Sequence, residues 1–112
     1  PHHWDDISIG NSKSHLSLIV DANNDQIRCE LYIPDSKSLF QALLENKKAI
    51  EGKLDHELEW MELEGKKASR VRAVLDINVG NSDNWEKCFL WLMNTAQDFQ
   101  SVFGEHIKGM KL

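Results

Sequence analysis

The chain has 112 residues, of which 41% are hydrophobic and 28% are charged, and its formal net charge is −5 at pH 7. These proportions are typical of one globular domain and disfavour intrinsic disorder or a fibrous repeat. Because proteins that coat nucleic acid non-specifically do so with an excess of Lys and Arg, the acidic balance argues against that class. We predict one domain over residues 1–112.

A β-hairpin is predicted first. Apolar residues recur at every second position from His15 to Asp21, which is the pattern of a half-buried strand. The alternation returns from Gln26 to Ile33, after four residues, 22–25, that are rich in turn formers. The two segments therefore predict paired antiparallel strands.

A helix should follow Pro34, which ends the second strand. Either Asp35 or Ser36 suits its N-cap, and Gly52 suits its end. Apolar residues recur between these limits at helical spacing. They are Leu39, Phe40, Leu43, Leu44 and Ile50.

The second half of the chain repeats this order. Strands are predicted over Leu58–Leu63 and Ser69–Ile77, joined through a turn at Gly65. Asp83 and Glu86 have the spacing of a capping box at the start of a second helix that reaches at least Phe103. The predicted core stripe of this helix is Trp85, Phe89, Leu92, Ala96, Phe99 and Phe103.

This order of elements, ββαββα, predicts an α+β fold. The simplest way to bury the apolar stripes is a two-layer sandwich, in which two helices cover one face of a four-stranded, mainly antiparallel sheet. Cys29 and Cys88 each lie in an apolar stretch without metal-ligand spacing, so we expect buried thiols and a cytoplasmic location. The longest apolar run, 88–93, is far below the roughly 20 residues of a membrane span, so no membrane association is predicted.

Several short segments together carry a resemblance to a known family, and they span most of the chain. They are Asn11–His15, Glu30–Ile33, Leu39–Phe40, Lys48–Glu51, Leu58–Trp60 and Lys67–Arg70, with Trp85 and Trp91. The sequence resembles an uncharacterised prokaryotic family, a domain of unknown function whose members often lie C-terminal to restriction-endonuclease-like nuclease domains. The resemblance implies an accessory role and supplies no catalytic residues. Because the chain begins with Pro1, we expect a C-terminal fragment of a longer protein.

Two acidic residues and a lysine have the residue types and the order that a metal-dependent nuclease uses. Asp55 is followed by Glu64 and Lys66, and restriction-type nucleases use an acid and then an acid-x-Lys pair to hold a metal ion and activate water. That chemistry needs a rigid strand, however, whereas Gly65 and a second lysine at Lys67 are typical of a hairpin tip. We therefore predict no enzyme activity, metal site or cofactor for the domain itself.

The sheet face opposite the helices is a candidate nucleic-acid surface. Alternation places Arg28 and Tyr32 on one strand and Arg70 and Arg72 on another, all on this face. Arginines that follow a backbone and an aromatic ring that stacks on a base are how several single-strand binders use a sheet. The alternative is an ion-paired solvated face, because three glutamates are expected to share it: Glu30, Glu57 and Glu59.

The segment Cys88–Met93 is apolar all round the second helix, which one sheet cannot cover. Leu90, Trp91 and Met93 fall at the edge of the core stripe or outside it, so they are candidate interface residues. Their partner would be a second copy of the domain or an upstream domain of the same chain. The alternative is that the first helix and the N-terminal segment around Trp4 cover them.

These observations favour a non-catalytic accessory or interaction domain of a larger, possibly nuclease-containing protein. It would contribute assembly through the second helix or substrate contact through the sheet face. Two alternatives remain, a nucleic-acid-binding module and a metal-dependent nuclease.

Overall fold

A computed structural model describes the backbone of residues 2–110 and the side chains of residues 4–110. Its five strands are β1 (His2–Ser8), β2 (His15–Asp21), β3 (Gln26–Ile33), β4 (Glu59–Met61) and β5 (Ser69–Asp76). Its three helices are α1 (Lys37–Glu45), α2 (Lys47–Leu54) and α3 (Trp85–Lys108). All strand pairs are antiparallel, in the order β1-β2-β3-β5-β4.

The predicted antiparallel sheet is confirmed, but the predicted number of strands is wrong. β2 and β3 have the predicted bounds and pair as a hairpin in which Leu18 faces Cys29. The sheet has five strands rather than four, because β1 adds to the free edge of β2. β4 is shorter than the predicted Leu58–Leu63, and it pairs with β5 only from Glu59 to Met61.

β1 is irregular, which explains why alternation does not reveal it. Trp4 pairs with Leu18 and Ile7 pairs with Leu16, so one extra residue lies between the two pairs. Asp6 has a positive φ of 61° inside this interval. Such a bulge breaks the period-two pattern on which strand prediction depends.

The first predicted helix is two helices. Ser36, one of the two predicted N-caps, is the N-cap of α1. Its Oγ accepts a hydrogen bond from the amide of Leu39 at 3.2 Å. Asn46 interrupts the helical run, and its side-chain Nδ2 donates to the Ala42 carbonyl at 3.1 Å. α2 continues past Gly52 to Leu54 and ends at Asp55, which adopts the left-handed conformation.

The predicted capping box at the start of α3 is wrong. A short 3₁₀ turn, Ser82–Asn84, precedes the helix, and Asn81 caps that turn by accepting from the amide of Asp83 at 3.0 Å. α3 then begins at Trp85 without a side-chain cap. The helix is 24 residues long, and no described helix is both long and apolar enough to cross a membrane.

The core lies between the sheet and the three helices. α3 packs on β2 and β3, α1 packs on β3 and β5, and α2 packs beside α3. Cys29 and Cys88 are both buried free thiols, as predicted, and burial raises the pKa of the Cys29 thiol well above its ordinary value. The helices thus share one face of the sheet, in two layers, and leave the other face open.

The predicted core stripe of α3 is correct only in its C-terminal part. Leu92, Ala96, Phe99 and Phe103 are buried, whereas Trp85 and Phe89 are each 61% exposed. The first turns of α3 instead bury Cys88, and Thr95, Val102 and Ile107 complete the buried stripe. Two large aromatic residues are therefore left outside the core.

Lys37 fixes the β4–β5 connection, which sequence patterns did not predict. Its ammonium group donates to the carbonyl oxygens of Glu62 and Ala68, the latter at 2.8 Å, and to Ser69 Oγ at 3.0 Å. Lys37 is half-buried, and these oxygen atoms replace the water that its ammonium group loses there. The first turn of α1 thereby holds both ends of the connection between the two strands.

Candidate functional site

The face of the sheet that the helices leave uncovered is called the open face. In the strand registers Ser17 lies opposite Glu30 on β3, and Glu30 lies opposite Arg72 on β5. Since partners in register point to the same side, these strands form one continuous surface. It consists of Ser17, Ile19, Arg28, Glu30, Tyr32, Arg70, Arg72 and Val74.

Glu30 is the centre of the open face. Its side chain is 1% exposed, although no helix covers it. Arg70 Nη1 donates to Glu30 Oε1 at 2.7 Å, and Arg28 Nε donates to Glu30 Oε2 at 3.2 Å. Arg72 Nη1 lies 3.7 Å from Oε2. The three arginines bury this carboxylate themselves, and their positive charge stabilises it there.

Two further carboxylates extend the network to the edges of the open face. Arg28 Nη1 lies 3.0 Å from Asp21 Oδ2, and Arg72 Nε donates to Glu59 Oε1 at 2.5 Å. Hydrogen bonds from Asn24 and then from Arg28 hold the pKa of Asp21 below its ordinary range. Three arginines are thus matched by three carboxylates.

Tyr32 contributes an aromatic surface beside the network. The Arg70 guanidinium carbon lies 4.9 Å from the centre of its ring, and the His15 ring centre lies 5.3 Å away. An open depression of about 660 Å³ lies over these groups. Its rim is acidic, with Asp5, which accepts a hydrogen bond from Ser17 at 2.7 Å, and Asp6.

The four nucleic-acid candidates lie together in the structure, but the charges of the three arginines among them are already paired with carboxylates. Arg28, Arg70 and Arg72 all contact Glu30, and Tyr32 lies against Arg70. The prediction that these residues share one face is therefore correct. Guanidinium groups that already bind carboxylates have less positive charge to offer a phosphate backbone. This geometry corresponds to the ion-paired alternative.

The nuclease candidates lie on connections rather than on a strand. Asp55 is the exposed residue that ends α2, and Glu64 and Lys66 lie in the exposed turn between β4 and β5. Gly65, between them, has a φ of 81°. Among residues 4–110, the side chains form no group of three His, Cys, Asp or Glu that is suited to a metal ion. Asp55 therefore lies on a different connection from Glu64 and Lys66.

A second candidate surface is on α3 and is called the apolar patch. It consists of Trp85 and Phe89, each 61% exposed, with Leu90 at 50% and Met93 at 36%. The Trp85 indole is fixed because its Nε1 donates to the Val79 carbonyl at 3.0 Å. Four large apolar side chains therefore meet solvent within the first three turns of one helix.

Trp91 differs from the other two interface candidates. It is half-buried against the core, and its ring and the His56 ring are nearly perpendicular, with their centres 6.2 Å apart. Leu90 and Met93 are exposed as predicted. Sequence reasoning missed Trp85 and Phe89 because both continue the helical spacing of Leu92 and Phe99. The signal that could have found them is the breadth of the apolar arc over 85–93, which exceeds what one sheet covers.

Residues 1–107 match the sequence profile of a family described as Domain of unknown function (DUF4268). The chain belongs to this family. Family membership confirms the expected domain of unknown function and assigns no activity to it. None of the curated proteins matches the sequence.

Solved structures similar to this DUF4268 domain include YbjN of E. coli, described as a candidate transcription regulator. The similarity has a TM-score of 0.58 at 12% identity and covers 88% of this chain and 79% of the YbjN chain. At that identity it shows a shared fold alone. A chain of the ExsC–ExsE complex aligns over 89% of this chain and 74% of its own length, at 12% identity and a TM-score of 0.38.

Proposed function

We propose that this DUF4268 domain is a non-catalytic interaction domain that binds another protein surface through the apolar patch. The observation that carries the proposal is the exposure of Trp85, Phe89, Leu90 and Met93 on one helix. Single exposed apolar residues are common, whereas a contiguous group of large ones usually marks an interface. Aromatic residues and Met are also the types that interface centres favour.

The cost of leaving the apolar patch in water supports this function. Burying apolar surface yields roughly 25 cal/mol per Å², and each of these side chains retains between a third and two thirds of its surface in solvent. A partner that covers the patch recovers that free energy on binding. The core gains nothing from the exposed fractions, so fold stability does not account for them.

We propose that the domain acts as part of a larger protein. The family resemblance implies an accessory role beside a nuclease domain, and we propose assembly or substrate contact within such a protein as the setting of the apolar patch. The buried thiols Cys29 and Cys88 support a reducing compartment such as the cytoplasm.

The two alternative functions have weaker support. A nucleic-acid-binding module would use Arg28, Tyr32, Arg70 and Arg72, whose arginines bind carboxylates in this structure. A nuclease would use Asp55, Glu64 and Lys66, which lie on two separate connections. Both stay predictions that direct assays can test.

Site-specific photo-crosslinking in cells tests the proposal. A photoreactive amino acid in place of Phe89 should give a discrete intermolecular adduct, which Met93→Glu should remove. The matched control places the same group at Lys53, an exposed position on α2 outside the apolar patch. Equal crosslinking at both positions, or none at Phe89, would count against an interface on α3.

A further inference from the structure

Four exposed residues form a narrow stripe along the outer side of α3. Glu86, Leu90, Met93 and Gln97 are spaced by four, three and four residues, which confines them to an arc of about 60° on a helix. The buried residues of α3, such as Leu92 and Phe99, lie on the opposite side. The stripe therefore points away from the sheet, into open solvent.

The spacing of this stripe is the same in both chain directions. Two copies of α3 that cross antiparallel about a two-fold axis between Leu90 and Met93 would place Leu90 of each copy against Met93 of the other. The same operation places Glu86 against Gln97 of the other copy. Spacings of four and three are those by which paired helices keep a common seam.

The ends of the stripe are complementary under that operation. The Glu86 carboxylate accepts hydrogen bonds and the Gln97 amide donates them. Within the described part of the chain neither side chain has a hydrogen-bond or ionic partner. A parallel pairing would instead put Glu86 against its own copy, and like charges repel.

We propose, resting on the function proposed above, that the partner of the apolar patch is a second copy of this chain, with the two α3 helices antiparallel. A two-fold pair uses one patch twice, so a self-complementary stripe is what it requires. Leu90 and Met93 form the centre, Phe89 flanks them, and each end is closed by a Glu86–Gln97 pair. The dimer has the layer order sheet, helix, helix, sheet.

The contact is small, so the dimer should be weak. The stripe from Glu86 to Gln97 is about 16 Å long, which places the interface at the low end of specific interfaces. Dissociation constants should therefore lie in the micromolar range or above. A concentration series by sedimentation velocity or light scattering resolves such a dimer.

Substitutions at Gln97 test the antiparallel arrangement. Gln97→Lys creates two ion pairs across the dimer, each between Glu86 of one copy and the introduced lysine of the other, and should tighten the dimer about threefold to tenfold. Gln97→Glu should weaken it by a similar factor. Positions 93, 94, 100 and 101 carry no acidic residue, so the introduced lysine has no intrahelical partner at three or four residues' distance. Combining Glu86→Lys with Gln97→Glu recreates both ion pairs with their signs exchanged, so it should reverse the loss caused by Gln97→Glu and tighten the dimer as Gln97→Lys does.

The control is Glu105→Lys, an exposed charge change on α3 outside the stripe, which should leave the dimer unchanged. Circular dichroism of each variant shows that it is folded. A wild-type monomer at all concentrations would overturn the second copy as partner, and crosslinking from Phe89 to a different protein would then still support the proposed function. A dimer that Gln97→Lys and Gln97→Glu affect equally would overturn the antiparallel arrangement.

Discussion

Glu30 on β3 accepts a 2.7 Å hydrogen bond from Arg70 on the neighbouring strand β5, and its side chain is 1% exposed. A carboxylate on the uncovered side of a two-layer fold would ordinarily remain hydrated. Here the arginines that surround it replace water, so its burial depends on them. The ion pairs of the open face therefore contribute to the stability of the fold.

Removing the Glu30 charge should destabilise the fold. Glu30→Gln leaves Arg28, Arg70 and Arg72 without their shared carboxylate, and we expect a loss of about 2 kcal/mol in the free energy of unfolding, below the value for fully buried pairs because these arginines are partly exposed. Urea denaturation measures the loss. Glu59→Gln is the control, and since Glu59 is 55% exposed it should cost less than about 1 kcal/mol. Equal effects of the two variants would refute a central role for Glu30.

The wild-type domain should bind single-stranded nucleic acid poorly. Because three carboxylates match the arginines of the open face, we expect a dissociation constant weaker than about 100 μM at physiological salt. Glu30→Gln frees positive charge and should tighten binding. Fluorescence anisotropy with a labelled oligonucleotide at several salt concentrations measures both. Tight, salt-sensitive binding by the wild type that Arg70→Glu abolishes would instead establish the nucleic-acid module.

Asp21 should make stability depend on pH in the acid range. Its folded-state pKa is lowered from the ordinary value of 3.8, chiefly by the Asn24 hydrogen bond and then by Arg28. A lowered pKa contributes stability that is fully present above the unfolded pKa and is lost as pH falls through the folded pKa. The stability difference between wild type and Asp21→Asn should therefore be constant near neutral pH and shrink below about pH 4.

Urea unfolding at a series of pH values provides that comparison. Asn24→Ala removes the hydrogen bond that contributes most to lowering the pKa of Asp21 and should reduce the same pH dependence in part. A difference between wild type and Asp21→Asn that grows as pH falls would contradict the direction of the pKa shift.

Two phenylalanines on α3 should differ strongly in their effect on stability. Phe99 is fully buried, so Phe99→Ala should cost about 3–5 kcal/mol through lost burial and a residual cavity. Phe89 is 61% exposed, so Phe89→Ala should cost less than about 1 kcal/mol in the monomer. Thermal or urea denaturation at low protein concentration compares them, and similar losses would contradict the boundary drawn between core and apolar patch.

Local patterns predicted the elements that obey a regular period. The β2–β3 hairpin and the cap at Ser36 follow from alternation and from a free hydroxyl before a helical run, and both are where the sequence places them. β1 was missed because its bulge at Asp6 breaks the period. Asn46 falls inside the single helix that was predicted, yet it divides α1 from α2 because its side chain competes for the Ala42 carbonyl.

The residues of the open face could be predicted from the sequence, whereas their ion pairing and the full set of residues in the apolar patch could not. Strand alternation brought Arg28, Tyr32, Arg70 and Arg72 to one face, but the register that sets all three arginines around Glu30 depends on how β3 and β5 align. Helical spacing likewise could not show that Trp85 and Phe89 lie outside the core. Which side of an apolar helix meets the sheet is decided by tertiary packing, in which α2 lies against α3.

The bulge in β1 also limits how the sheet can grow. β1 and β4 are its two edge strands, and a regular edge exposes a row of unpaired amides and carbonyls on which a further strand can pair. Asp6 turns the backbone out of line at one edge, and the other edge offers only three residues. The pairing of further strands at these edges, which would extend the sheet into a fibre, is thereby disfavoured. The molecule can therefore expose the apolar patch on α3 without also exposing a strand edge that is prone to aggregation.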